Sequence, residues 1–136
     1  QWSSSAASDV YKRQPLYAAA KKGHTECARL LLDAGADSGY RDREGMTPLH
    51  VAAIWGRTGI IRCLVEMGAD IDAKDFKGNT PLHRACFKYV KHSIATLTKL
   101  GCNVTLKNKA GKRADEATKY SASKTAILNG VKKRGY

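Results

Sequence analysis

The residues of this 136-residue chain that could bind a metal or act in catalysis include four histidines and four cysteines. No two cysteines are close enough for a CxxC pair, and zinc sites usually show such short spacings. We therefore predict no zinc site. We interpret the thiols as reduced, small apolar side chains of the core. They are Cys27, Cys63, Cys86 and Cys102.

A cluster of carboxylates at Asp70, Asp72 and Asp75 is a second candidate for metal binding. It lacks the glycine and the closing glutamate of a calcium loop. Aspartate is also common in tight turns, and we favour this interpretation. The chain contains no GxSxG, no phosphate-binding GxxxxGK[ST] and no HExxH. The sequence therefore predicts no enzyme, no metal and no cofactor.

Two of the histidines, His50 and His83, end identical "TPLH" segments that lie 33 residues apart. Cutting the chain at this period gives three units that align without gaps, including their prolines and turn glycines. An ordinary helical bundle does not explain such a period. The units are residues 14–46, 47–79 and 80–112.

Each unit has the pattern of two short helices followed by a turn. Thr47 suits a helix N-cap and Pro48 suits the first helical turn, where no backbone N–H is needed. Gly68 suits a left-handed C-cap, and Gly78 suits a tight turn. The second helix of this unit places apolar residues on one face at Ile60, Ile61, Leu64 and Val65.

With this period and its "TPLHVA" and "TPLHRA" segments, the chain resembles the ankyrin repeat family. "GHTECARLLLDAGAD" and "CLVEMGADIDAKD" match the second helix and the following loop of that family. The resemblance implies an all-α repeat solenoid, in which stacked helix-turn-helix units are joined by projecting β-hairpin fingers. It also implies protein–protein recognition without catalysis. The TPLH histidines would form local hydrogen bonds between neighbouring turns.

The two ends of the chain depart from the repeat pattern. Residues 1–13 are predicted to be a leader that is non-native or poorly ordered, and the chain is expected to be part of a longer protein. Residues 113–136 lack TPLH and are predicted to be a degenerate C-terminal capping repeat with a basic tail. In the third unit, polar residues replace apolar ones on the second helix, which should therefore pack less tightly. These residues are Ser93 and Thr98.

The net charge of +12 is unevenly distributed along the chain. The first two units are neutral, and residues 80–136 carry +11 of the total. This surplus serves solubility alone, or attracts an acidic protein, a nucleic acid or an anionic membrane surface. Because the family lacks a base-stacking platform and a groove-reading helix, we rank an acidic protein above nucleic acid.

The family's variable positions predict the binding surface: the finger tips, the residue before TPLH, and the residues after the paired alanines. Trp55, Phe76 and Phe87 are expected to be exposed interface anchors, unless they pack against neighbouring units. The predicted partner-binding residues are Lys21, Lys22, Arg43, Glu44, Met46, Ile54, Trp55, Phe76, Lys77, Asn79, Phe87, Lys88, Lys109, Ala110 and Lys112.

The sequence thus predicts a protein-interaction module, either a scaffold or an adaptor. The alternatives are a regulatory module of a larger enzyme or receptor and a basic nucleic-acid-associated protein. No apolar run approaches the roughly 18 residues that a membrane helix needs. The chain is therefore expected inside the cell, in the cytoplasm or the nucleus, as a monomer.

Overall fold

The structure is a computed structural model, and it describes residues 16–133. This part of the chain contains helices and turns, no strand, and one isolated β-bridge between Lys107 and Arg113. The predicted leader, residues 1–13, lies outside the described residues. The helices are α1 (residues 16–22), α2 (Thr25–Asp33), α3 (Pro48–Ile54), α4 (Thr58–Glu66), α5 (Pro81–Phe87), α6 (Lys91–Lys99), α7 (Ala114–Ala117) and α8 (Ser121–Lys133).

The helices form two layers. The first helices of successive units pack side by side, α3 against α5 and α5 against α7. The second helices form the other layer, in the order α2, α4, α6 and α8. Within each unit the two helices also contact each other, as in α3 with α4. This confirms the predicted all-α repeat solenoid.

The TPLH segments start the first helices. The Thr47 hydroxyl accepts a hydrogen bond from the backbone N–H of His50, and the His50 ring accepts one from the backbone N–H of Thr47. Pro48 occupies the first helical position. Thr80 and His83 repeat the arrangement at α5. Two backbone groups that a helix end leaves unpaired are therefore satisfied in the second unit and in the third.

Residues in the left-handed backbone conformation, with a positive φ, follow the ends of the helices, as the spacing of the glycines predicts. Gly68 follows α4 with a φ of 97°. At the turn between α5 and α6, Tyr89 takes the position that Gly56 holds one unit earlier, and its φ is 49°. A left-handed conformation is strained for a residue with a Cβ atom. The break between the two helices therefore persists in the third unit, but it is strained.

The core lies between the two layers. Ile60, Ile61 and Leu64 are fully buried. In the third unit the hydroxyl groups of Ser93 and Thr98 are fully buried too, and they donate hydrogen bonds to backbone carbonyls of Ala53 (2.6 Å) and Ile94 (2.9 Å). These polar side chains are thus satisfied, although they bury less apolar surface than the residues they replace.

Helix α8 packs along α6 at the C-terminal end. Ile127 is buried, while Ala117 and Ala126 are half-buried. Gly130 permits close contact, because a Cβ atom there would lie 2.7 Å from Cβ of Thr98. None of the helices in residues 16–133 has both the length and the hydropathy needed to cross a bilayer.

Candidate partner-binding surface

Three loops with the same internal hydrogen bonds connect the units, and we call them fingers 1, 2 and 3 (residues 42–46, 75–79 and 108–112). In finger 2, Oδ1 of Asp75 accepts hydrogen bonds from the backbone N–H groups of Lys77 and Asn79, both at 2.9 Å. Asp42 and Asn108 do the same in the other two fingers. Each finger is therefore a tight turn, shorter than the expected β-hairpin. The Asp75 contacts agree with turn chemistry.

Backbone hydrogen bonds join each finger to the next. The N–H of Phe76 donates to the carbonyl of Glu44, and the N–H of Lys109 donates to the carbonyl of Lys77, both at 3.0 Å. Gly45 permits this approach, since a Cβ atom there would lie 2.6 Å from the Phe76 ring. The tips form one continuous surface, which we call the finger row. It comprises Arg43, Glu44, Phe76, Lys77, Lys109 and Ala110.

Arg84, on α5, braces the finger row from below. Its Nε donates to Oδ2 of Asp75 at 2.8 Å, and its guanidinium lies 3.7 Å from Glu44. Burial alone would raise the pKa of the Asp75 carboxyl. Hydrogen bonds from the Asn79 backbone and from Arg84 outweigh burial, so this pKa lies below its ordinary value. Because Arg84 is paired, the surface charge of the third unit comes from its lysines.

A second exposed feature surrounds Trp55, whose side chain is 47% exposed at the C-terminal end of α3. The Nζ atoms of Lys21 and Lys88 lie 5.4 Å and 5.8 Å from the Trp55 ring centroid. Both distances are within the range of cation–π attraction. Arg57 holds the first lysine in place by donating from Nε to the Lys21 carbonyl at 3.0 Å. We call Lys21, Trp55 and Lys88 the Trp55 cluster.

The two features lie at opposite ends of the first helices. A finger precedes each first helix, and the Trp55 cluster follows α3, which has seven residues. At 1.5 Å per residue, roughly 10 Å separates the two ends. The predicted residues therefore form two neighbouring patches, which a partner would have to span.

Most of the predicted partner-binding residues lie at the surface. Ile54 and Phe87 are half-buried, and the Phe87 ring packs edge-on against His83 with centroids 6.4 Å apart. The exposed ones are Lys21, Lys22, Arg43, Glu44, Trp55, Phe76, Lys77, Lys88, Lys109, Ala110 and Lys112.

The expected exposure of Met46 and Asn79 is wrong. The side chains of Met46 and Asn79 are 9% and 5% exposed. Each is the last residue of a finger, but Lys112, at the same position of finger 3 and with the same closing hydrogen bond, is exposed. The amide oxygen of Asn79 also accepts a hydrogen bond from the Asn108 side chain at 3.0 Å. The side chains of both residues are buried, and the exposed part of fingers 1 and 2 is their tip.

The sequence analysis did not identify the two arginines whose hydrogen bonds stabilise this surface. Arg84 and Arg57 hold it in place, and nothing in the repeat pattern distinguished them from other arginines. The pairing of Trp55 with Lys88 had a signal, because the two residues lie 33 positions apart, at the same place in successive units. The same period that revealed the fold therefore also places these side chains beside each other.

His50, His83 and three of the four cysteines have structural roles, whereas His24 and His92 are exposed. His50 and His83 are buried, and this burial lowers the pKa of both rings. Burial raises the pKa of the Cys86 thiol to about 12. Cys27 is exposed, so the prediction that all four thiols are core fillers is wrong for this residue. Within residues 16–133 no group of histidine, cysteine or carboxylate side chains is arranged to hold a metal.

Comparison with known families agrees with the repeat pattern. A family model described as ankyrin repeats, in three copies, matches residues 3–75 and 41–108. The first match starts inside the segment predicted to be a leader. No curated protein matches the chain significantly.

Proposed function

The chain belongs to the ankyrin repeat family, and from this premise we propose that it is a non-enzymatic module that docks one protein partner. Ankyrin repeats are in general protein–protein interaction modules. The partner would contact the finger row and the Trp55 cluster together. The observation that carries this proposal is the position of Trp55 between two lysines.

An exposed tryptophan that is held in place suits an interface anchor. Tryptophan is enriched among residues that dominate binding energy. Trp55 is a C-cap residue on a packed helix, and two lysines restrict its ring. Little side-chain entropy would be lost on binding. Phe76, 57% exposed on the finger row, offers a second apolar contact.

The charges around these anchors favour an acidic partner. Lys21 and Lys88 flank Trp55, and Lys77 and Lys109 lie on the finger row. Such charges accelerate the encounter with an acidic surface. Nucleic acid has less support, because the Trp55 cluster offers a single aromatic ring, whereas single-stranded nucleic acids stack on a series of rings.

The same surface would serve a scaffold or adaptor, or a regulatory module of a larger enzyme or receptor. We favour the scaffold or adaptor. The four cysteines are free thiols, which supports a reducing compartment, the cytoplasm or the nucleus. We propose a monomer.

The test is to isolate a partner with the immobilised chain and to measure its binding kinetics with Trp55→Ala. If Trp55 is an anchor, affinity should fall about 30-fold, the equivalent of roughly 2 kcal/mol, through faster dissociation. Leu128→Ala is the matched control, since Leu128 is 59% exposed on α8, outside both patches. The proposal fails if Trp55→Ala leaves the dissociation rate unchanged, or if only random duplex DNA binds at near-physiological salt.

A further inference from the structure

A groove of about 570 Å³ runs along α6 on the second-helix layer, between α4 and α8. We call it the α6 groove. It shares no residue with the finger row or the Trp55 cluster. The residues that line it are Thr58, Arg62, Lys91, His92, Ala95, Thr96, Lys99, Ala126, Asn129 and Gly130.

Small side chains on α6 create this groove. Ala95 takes the position that Arg62 holds on α4, because the two lie 33 residues apart. The short side chain of Ala95 therefore leaves space on α6 at the position where α4 carries the long side chain of Arg62. Arg62 forms one wall, and Asn129 on α8 forms the other. Since α6 and α8 are packed together, the floor and this wall are held in fixed positions.

The charge of the groove is positive. Arg62, Lys91 and Lys99 line it, and none of the described lining residues is acidic. None of these three cations forms an ion pair within residues 16–133. On α4 the position of Lys99 is held by Glu66, which does not line the groove. Three cations thus face one cavity without a counter-charge.

We propose that the α6 groove binds a short acidic peptide segment in an extended conformation. Lys91 and Lys99 lie at the two ends of α6, eight residues and therefore roughly 12 Å apart. An extended peptide covers this distance in about four residues at 3.3 Å each. Carboxylates at the two ends of such a segment would pair with the two lysines.

The remaining lining groups suit a peptide backbone. Hydroxyl groups of Thr58 and Thr96 and the amide of Asn129 offer hydrogen bonds to peptide groups. Among the described lining residues there is no Phe, Tyr or Trp, and His92 is the one aromatic ring, so the groove lacks the series of stacking rings that single-stranded nucleic acids use. These features favour an acidic peptide over nucleic acid.

The probe is a fluorescein-labelled hexaglutamate peptide, with fluorescence anisotropy measured on the full chain at near-physiological salt. The test variant is Lys91→Glu with Lys99→Glu. The matched control is Lys124→Glu with Lys132→Glu, which changes the net charge equally at two exposed residues of α8 that do not line the groove. We expect the groove variant to lose at least tenfold in affinity and the control to lose less than twofold. Trp55→Ala should bind hexaglutamate normally, which separates this proposal from the one above.

Three results would overturn the proposal. The first is equal weakening by the groove variant and the α8 control, which would show attraction by net charge alone. The second is no binding of hexaglutamate, or equal binding of a hexaglutamine peptide. The third is complete displacement of hexaglutamate by an equally charged single-stranded oligonucleotide at a lower concentration than unlabelled hexaglutamate, which would point to nucleic acid. Arg62→Gln, a milder change, should weaken binding in the same direction as the double variant.

Discussion

Nε2 of His50 lies 2.8 Å from the backbone carbonyl oxygen of Asn79, the last residue of the following finger. His83 repeats the contact with the carbonyl of Lys112 at 2.9 Å. The other ring nitrogen of His50 accepts from the backbone N–H of Thr47, so the hydrogen of the neutral ring is on Nε2. Each histidine therefore connects the start of its own helix to the finger at the end of the same unit.

These contacts make the stability of the protein dependent on pH. Burial lowers the pKa of His50 and His83 below the ordinary value of 6.5, so the unfolded chain binds more protons than the folded one below that pH. The free energy of unfolding should be highest above pH 6.5 and should fall as the pH decreases toward the folded-state values. Urea denaturation between pH 7.5 and 5.5 measures this, well above the range where Asp75 titrates.

Two variants separate this effect from general titration. His92 is exposed on α6, so His92→Gln should leave the pH dependence of stability unchanged. His83→Gln removes one of the two buried rings and should reduce the dependence. A free energy of unfolding that stays constant across this pH range would contradict the role given to the buried histidines.

The apolar face of α4 should determine the stability of the central unit. Leu64 is fully buried there, so Leu64→Ala should lower the free energy of unfolding by about 2–5 kcal/mol. Because each repeat is stabilised by its neighbours, most of the stack should unfold with it. Leu30→Ala is the control, since Leu30 is 66% exposed on the equivalent helix α2 and should change stability by less than about 0.5 kcal/mol. Equal melting temperatures for both variants would show that α4 is misassigned.

Periodic residues with a fixed backbone role made most of the fold predictable. Thr47, Pro48 and Gly68 each act at the position where the sequence placed them. Their effects are local, so the sequence alone determines them. The orientation of the finger ends was not predictable in this way. Met46 and Asn79 occupy positions that the family varies, yet they are buried, while Lys112 at the same position of finger 3 is exposed.

The candidate surface was predictable only in part for a similar reason. Exposure of Trp55 and Phe76 follows from their positions in the repeat. The contacts of Arg84 with Asp75 and of Arg57 with Lys21 depend on how side chains reach between units, which periodicity does not encode. Cys27 takes the position that Ile60 and Ser93 hold in the next two units, where both are buried, so its residue type and position did not predict its exposure.

The exposed thiol should be chemically distinct from the buried ones. In the folded protein an alkylating reagent should modify Cys27 quickly and the three buried cysteines slowly. Burial raises the pKa of Cys86 to about 12, which keeps its thiolate scarce at neutral pH while the site is closed. Mass spectrometry during alkylation would show one fast addition, and four in denaturant. Rapid labelling of Cys27→Ser would contradict the burial of the other three.

At Gly130 in α8, replacement by alanine should lower the stability of the protein, although such a replacement in a helix usually raises it. Replacing a glycine inside a helix with alanine ordinarily stabilises by about 1 kcal/mol. At Gly130 the new Cβ atom would lie 2.7 Å from Cβ of Thr98, which no rotation of the threonine side chain relieves. Gly130→Ala should therefore destabilise by about 1–3 kcal/mol, as overpacking does. Thermal melts measure this, and Asn129→Ala, an exposed neighbour, should be close to neutral. A stabilising Gly130→Ala would show that α8 does not pack closely on α6.

The lysines of finger 3 should determine the association rate with a partner. Lys109 and Lys112 are exposed, and only their backbone groups hold the finger together, so Lys109→Glu with Lys112→Glu should keep the fold. The association rate with an acidic partner should fall about tenfold at low salt, with little change in dissociation. Near 1 M salt the difference should largely vanish, because screening then acts over about 3 Å.

A control variant for the change in association rate has the same change in net charge, but on α8. Lys124 and Lys132 are exposed on α8, away from the fingers, so Lys124→Glu with Lys132→Glu should slow association less. Stopped-flow or surface plasmon resonance at several salt concentrations gives both rates for each variant. If the two double variants slow association equally, the attraction comes from the total positive charge of residues 80–136 and not from the finger lysines. An effect confined to dissociation would instead mean that the finger lysines form direct contacts in the complex, contrary to the role expected here.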